Sequence, residues 1–68
     1  MIEVRSSTIA AVGWNSDTST LRVAFKSRAS YDYAKVPKGV YEAFLNAASK
    51  GRYFAQNIRD KYPTSRVR

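Results

Sequence analysis

The fold is decided by the stretch YDYAKVPKGVYEAFL, residues 31–45. Its first part alternates, which places Tyr31 and Tyr33 on one face of a strand. Pro37 ends that strand because proline cannot donate a backbone hydrogen bond, and its fixed φ suits the first turn of a helix. After it, apolar side chains recur at helical spacing: Val40, Tyr41, Phe44, Leu45, Ala47 and Ala48. The stretch predicts a sheet that gives way to a helix.

Two more strands are predicted upstream. Residues 20–26 alternate cleanly, with Leu21, Val23 and Phe25 pointing inward. Residues 8–14 alternate more weakly and would place Ala10, Val12 and Trp14 on one face. The polar runs 15–19 and 27–30 are typical of reversals, since short polar side chains bond their own backbone there. The pattern predicts a three-stranded antiparallel meander.

A second helix is predicted over residues 52–61. Phe54, Ile58 and Tyr62 recur at i, i+4 and i+8, and Ser49 is a candidate cap. Pro63 would stop this helix and leave residues 63–68 as a basic tail. We therefore expect one α+β domain over residues 1–68, with a core of about 6–62 and both helices packed on one sheet face.

The residue inventory argues against catalysis. The 68 residues include no histidine and no cysteine, and the five carboxylates show no paired spacing. The commonest general base, the thiol nucleophile and the usual zinc ligands are therefore missing, and the three glycines form no phosphate loop. We expect no enzyme, no metal, no cofactor and no small-molecule substrate. No apolar run approaches the roughly 20 residues of a membrane span, so a cytoplasmic protein is expected.

Charge is the strongest compositional signal. Twelve Lys and Arg residues oppose five Asp and Glu residues, which gives a net charge of +7. Such a field attracts polyanions, although a solvated charged face is an equally ordinary reading. In the second half of the chain the basic residues are interleaved with tyrosines, which suits phosphate contacts and base stacking. The candidate nucleic-acid-binding residues are Lys50, Arg52, Tyr53, Arg59, Lys61 and Arg66.

Four secondary candidates lie on the predicted sheet. If the face of Tyr31 and Tyr33 lies under the helices, both tyrosines are core residues with hydroxyls at the rim. If that face is open, they form a stacking platform with Arg22 and Lys26 nearby. The alternation alone favours the core without deciding it.

The chain also resembles a known family. The matching segments are 6–9 (SSTI), 13–14 (GW), 21–25 (LRVAF), 31–33 (YDY), 36–37 (VP), 40–41 (VY), 48–54 (ASKGRYF) and 58–62 (IRDKY). In this order and spacing they resemble the KTSC domain, a small module found at the carboxy terminus of some lysyl-tRNA synthetases and as stand-alone proteins. Arg28-Ala29 stands where that family often has a glycine before its Tyr-x-Tyr motif.

The resemblance implies a small α+β domain without catalytic activity, with RNA binding as its suggested role and no active-site residues to transfer. A stand-alone copy leaves two hypotheses. The first is a module that binds RNA or another nucleic acid, with Arg52, Arg59, Lys61 and Arg66 on one exposed surface. The second is a protein-protein interaction module, either an accessory to translation or transcription machinery or a phage-encoded protein acting on its host. Steep salt dependence distinguishes the first from the second.

Overall fold

The computed structural model describes residues 2–67 and places two helices on one face of an antiparallel sheet. The elements are β1 (Ile2–Glu3), β2 (Ile9–Asn15), β3 (Thr20–Phe25), β4 (Ser30–Tyr33), α1 (Lys38–Asn46), α2 (Lys50–Asn57) and β5 (Thr64–Val67). The strands lie side by side in chain order, so β1 and β5 are the edges. The α+β class and the two helices are confirmed, but the sheet has five strands rather than the predicted three.

The central strands pair as the alternation predicts, with one irregularity. Trp14 lies opposite Leu21 and Val12 opposite Val23 in the β2–β3 ladder. A bulge between Ile9 and Ala11 shifts the register, so Ile9 and Val12 are both fully buried although three positions separate them. The predicted shared face of Ala10, Val12 and Trp14 is therefore wrong at Ala10, because the extra residue resets the alternation.

The last strand occupies most of the predicted basic tail. Thr64–Val67 pairs antiparallel with β4, and the N–H of Ala34 donates to the carbonyl of Pro63 at 2.9 Å. This segment carries no apolar alternation, since its pairing rests on backbone hydrogen bonds at a solvent-exposed edge. The cation Arg66 consequently has a fixed backbone position in the sheet.

Both helices begin at predicted signals, but the second ends early. Pro37, with φ −65°, precedes α1, and the Oγ of Ser49 accepts from the N–H of Arg52 at 3.3 Å. At the other end of α2, the N–H groups of Ile58 and Arg59 both donate to the carbonyl of Phe54, at 3.0 and 2.8 Å. Asp60 then adopts a left-handed φ of 61°. The predicted helix over 52–61 is therefore corrected to residues 50–57.

The core fills the space between sheet and helices. Trp14 stacks on Tyr41 of α1 with ring centroids 6.0 Å apart, and its Nε1 donates to the carbonyl of Val36 at 2.9 Å. No helix within residues 2–67 has the length and apolar character needed to cross a membrane. The buried residues are Ile9, Val12, Leu21, Val23, Tyr33, Val36, Phe44 and Ile58.

Candidate nucleic-acid interface

An aromatic groove lies between α2 and the β4–β5 side of the sheet. It has a volume of about 330 Å³. Phe54 meets Phe25 and Tyr33 edge to face, with ring centroids 5.3 and 5.5 Å apart. Phe25 meets Tyr31 in the same way at 5.9 Å. The residues that line this aromatic groove are Phe25, Tyr31, Tyr33, Phe54, Arg59, Asp60 and Thr64.

The two tyrosines of β4 have different positions in the groove. Tyr33 belongs to the core, with 4% of its surface exposed, whereas Tyr31 is half-buried and packs against the core from the rim. Both lie on the helix-covered face, since they pair with Val23 and Leu21 across β3. Burial raises the pKa of the Tyr33 hydroxyl above its ordinary value, Tyr31 and Asp60 raise it further, and Arg59 opposes the shift. Tyr33 is thus structural, and Tyr31 is the tyrosine available to a ligand.

One candidate cation lines this groove, and two more lie in the turn and edge strand that follow it. Because α2 ends at Asn57, Arg59 lies beyond the helix, and its side chain lines the groove. Arg66 of β5 lies directly opposite Tyr31 and is exposed. Lys61 is exposed in the turn between them, where its N–H donates to the carbonyl of Ile58 at 3.0 Å. The edge strand and the turn therefore gather positive charge beside aromatic rings.

The candidates on α2 itself are placed differently. The Nζ of Lys50 donates to the carbonyl of Ala47 at 3.2 Å, so this cation helps to satisfy the end of α1. Tyr53 is half-buried and stacks on Phe44, with ring centroids 5.8 Å apart. Arg52 is exposed in the first turn of α2, at the opposite end of the helix from Arg59. Arg52 can extend a basic surface, whereas Lys50 and Tyr53 have local structural contacts.

The secondary cations do not join the tyrosines. Arg22 lies opposite Asp32 on the open sheet face, away from Tyr31 and Tyr33. Its Nε and Nη2 donate to the two Asp32 carboxylate oxygens at 2.7 and 3.1 Å, which also raises the pKa of Arg22. Lys26 is exposed at the start of the β3–β4 hairpin, where its N–H donates to the carbonyl of Thr8 at 2.8 Å. A stacking platform that combines Arg22 with the two tyrosines is therefore not formed.

A second concavity of about 360 Å³ lies beside the β2–β3 hairpin. Arg22 and Asp32 contribute its charged groups, and these two side chains already bind one another. Within residues 2–67, no three side chains of the His, Cys, Asp and Glu types gather as a metal site would require. Of these two concavities, the aromatic groove contains an arginine, Arg59, that does not form a bidentate ion pair as Arg22 does.

The sequence pattern does not reveal the whole groove. It predicts Phe25 and Phe54 as core residues and Thr64 as part of the tail, yet all three line the groove. The alternation of β3 and the helical spacing of α2 identify apolar residues but do not reveal which core edge stays open. The groove depends on where β5 pairs in the sheet, and the sequence of β5 has no apolar alternation that predicts this strand.

This chain is similar in sequence to a protein family and to several known proteins. The KTSC domain model matches residues 5–62. A lysine–tRNA ligase from Trichormus variabilis is 39% identical over 62 residues, which is 91% of this chain but 11% of the ligase. An uncharacterised protein from Stutzerimonas stutzeri is 34% identical over 61 residues, covering 90% of this chain and 86% of that protein. The chain therefore spans about a tenth of the length of the ligases that it matches.

The fold agrees with this match. The crystal structure of a KTSC domain protein from Yersinia pestis superposes with a TM-score of 0.95 at 32% identity. The superposition covers 97% of this chain and 93% of that protein. With most of its length matched by the family model and by a solved structure, this chain belongs to the KTSC domain family.

Proposed function

We propose that this domain is a non-catalytic module that binds RNA through a basic surface beside the aromatic groove. The observation that carries the proposal is that Arg59 and the half-buried Tyr31 line the same groove, while Arg66 lies directly opposite Tyr31 on β5. Lys61 adds charge in the connecting turn, and Arg52 extends the surface along α2. Arginine and lysine contact phosphates, and an accessible aromatic ring contacts bases.

The charges on this surface are available to a ligand. The Nε of Arg59 lies 3.9 Å from an Asp60 carboxylate oxygen, and both side chains are largely exposed. A surface pair at this distance is weak and exchanges readily for a phosphate. Within residues 2–67, neither Lys61 nor Arg66 has an ion-pair partner. The net charge of +7 adds a long-range attraction for polyanions.

RNA is preferred over a protein partner on two grounds. The relatives that carry this module within a longer chain have names that specify tRNA as a substrate, so the module accompanies an enzyme that handles RNA. In addition, Ile2 is the one large hydrophobic side chain that is exposed within residues 2–67. The described surface therefore lacks the broad apolar patch that often marks a protein interface. A cytoplasmic location stays a prediction that accompanies this proposal.

The test is a binding titration with labelled single-stranded RNA, a tRNA and duplex DNA at about 50 and about 200 mM salt. If three or four phosphates are neutralised, log K against log salt should have a slope of roughly −2 to −3 for a single strand. Absence of binding to all three probes at the lower salt would overturn the proposal. An affinity that is equal at the two salt concentrations would instead indicate that the basic surface does not contact the RNA.

A matched pair of variants locates the surface. The double variant Arg59→Glu with Arg66→Glu lowers the net charge from +7 to +3, since each reversal removes two units. Lys35→Glu with Lys38→Glu makes the same change at exposed positions between β4 and the start of α1. The first variant should lose at least about tenfold more affinity than the second, because contacts rather than net charge dominate. Equal losses would contradict the proposed location.

A further inference from the structure

We infer that the aromatic groove is a stacking site for one unpaired base of single-stranded RNA, with Tyr31 as the stacking surface. This inference rests on the proposed function and adds to it the part of RNA that is recognised. It also predicts a preference for unpaired over paired RNA, which a basic surface alone does not require.

Tyr31 is half-buried and is one of the residues that line the groove. Tyr31 meets Phe25 at an interplanar angle of 71°, so the contact is edge to face rather than a parallel stack. Such a contact covers at most one of the two faces of a ring. Phe25 and Phe54 in turn meet at an interplanar angle of 74° and form an aromatic wall of the groove. The proposed base stacks on the exposed part of the Tyr31 ring.

The groove has room for one planar base. Its volume of about 330 Å³ lies at the lower end of the roughly 300–1,000 Å³ range of small-molecule sites. Bases inside a duplex are stacked on their neighbours and cannot enter such a groove, whereas an unpaired base can turn outward. The occupant is consequently a single base from a loop or a flexible strand.

The charges near the groove suit the phosphates of an RNA strand on both sides of the inserted base. Arg59 lines the groove near Tyr33 and Thr64, and Arg66 lies opposite Tyr31 at the sheet edge. Phosphates that flank an inserted base are negatively charged, so one arginine in the groove wall and a second one opposite Tyr31 complement a nucleotide strand. Asp60 also lines the groove and opposes this field. The match is therefore to a base with flanking phosphates rather than to an uncharged ring.

The experiment compares two oligomers of equal length and charge. One is oligouridylate, and the other is an abasic ribose-phosphate oligomer, titrated at the same low salt by competition against a labelled RNA. Oligouridylate should bind roughly five- to a hundredfold more tightly, which corresponds to the range of one stacked base. Equal affinity of the two oligomers would overturn the stacking site while leaving the proposed RNA function intact. If the labelled RNA itself fails to bind at this salt concentration, both the stacking site and the proposed RNA function are overturned.

Paired variants assign the effect to Tyr31. Tyr31→Leu should remove most of the advantage of oligouridylate over the abasic oligomer but leave the affinity for the abasic oligomer within about twofold. Tyr41→Leu is the matched control, because Tyr41 is also half-buried but stacks on Trp14 outside the groove. If Tyr31→Leu keeps the full advantage, the assignment is wrong. If Tyr41→Leu loses the advantage as fully as Tyr31→Leu while its near-ultraviolet dichroism shows an intact fold, the groove is also not the site.

Discussion

Tyr31 of β4 lies directly opposite Arg66 of β5, so an aromatic ring and a cation share one face at the edge of the sheet. Directly opposed residues in an antiparallel pair have their Cβ atoms about 5 Å apart. The pairing therefore places the backbone of Arg66 beside that of Tyr31, with both side chains on the same face of the sheet. It also explains why the residues after Pro63 contribute to the candidate interface as part of the sheet.

Asp60→Asn should tighten RNA binding by roughly two- to fivefold, because it removes a negative charge from the groove wall. Asparagine tolerates the left-handed φ of 61° at this position, so the turn should stay intact. Asp17→Asn removes the same charge from the exposed β2–β3 hairpin and should change affinity less than twofold. Titration of both variants with one labelled single-stranded RNA checks the prediction. Equal effects would show that net charge, not the groove, controls affinity.

Tyr33 should make stability depend on alkaline pH. Burial raises the pKa of its hydroxyl in the folded state, so the protonated phenol favours folding. This contribution is complete below the unfolded pKa of about 10 and is lost as pH rises through the folded pKa. The free energy of unfolding should therefore fall more between about pH 8 and about pH 11 in the native chain than in Tyr33→Phe. Urea unfolding at both values tests this, and parallel pH profiles would contradict it.

Arg28→Gly should stabilise the domain by about 1 kcal/mol, because an L-residue is disfavoured in the left-handed region. Arg28 has φ 73° in the β3–β4 hairpin, where its N–H donates to the carbonyl of Phe25 at 3.0 Å. Arg28→Ala removes the same charge but keeps the Cβ atom, so it should not stabilise. Urea midpoints compare the three proteins. A glycine variant no more stable than the alanine variant would show that the turn is not strained.

Removal of residues 64–68 should destabilise the domain by about 1–3 kcal/mol, since several backbone hydrogen bonds to β4 are lost at a net value of about 1 kcal/mol each. The control is Ser65→Ala with Arg66→Ala, which leaves the backbone ladder in place while removing two exposed side chains. Urea unfolding of both variants provides the measurement. If the truncated chain unfolds at the same urea concentration as the full chain, β5 contributes little to the fold.

The predictable parts of the fold are those with a buried, periodic pattern. Leu21 and Val23 are fully buried because β3 alternates in the centre of the sheet, and Phe44 is buried by the stripe of α1. Thr64–Val67 has no such pattern, because edge pairing uses backbone groups that every residue carries. The bulge after Ile9 is likewise not predictable from the strict alternation of side chains along a strand, because the bulge breaks that alternation.

The sequence predicts which residue types the candidate site contains but not how the fold brings them together. Basic residues and tyrosines in the second half of the chain indicate a polyanion partner. In the fold, Arg59 lines the aromatic groove and Arg66 lies opposite Tyr31. Their relation to Tyr31 depends on two tertiary features: the end of α2 before Arg59 and the return of the chain along β4. Local propensity specifies neither, because both are set by packing and backbone pairing.

The most direct test of the central claim is a map of aromatic ring protons by nuclear magnetic resonance during titration with a short oligouridylate at low salt. Stacking of a base shifts protons close to its ring, so Tyr31 should change most, followed by Phe25 and Phe54 of the same groove. Trp14 and Tyr41, which stack on each other outside the groove, should change little. Saturating shifts centred on Tyr31 are the predicted result. Shifts centred on Trp14 and Tyr41, or no shifts in any ring, would contradict the account.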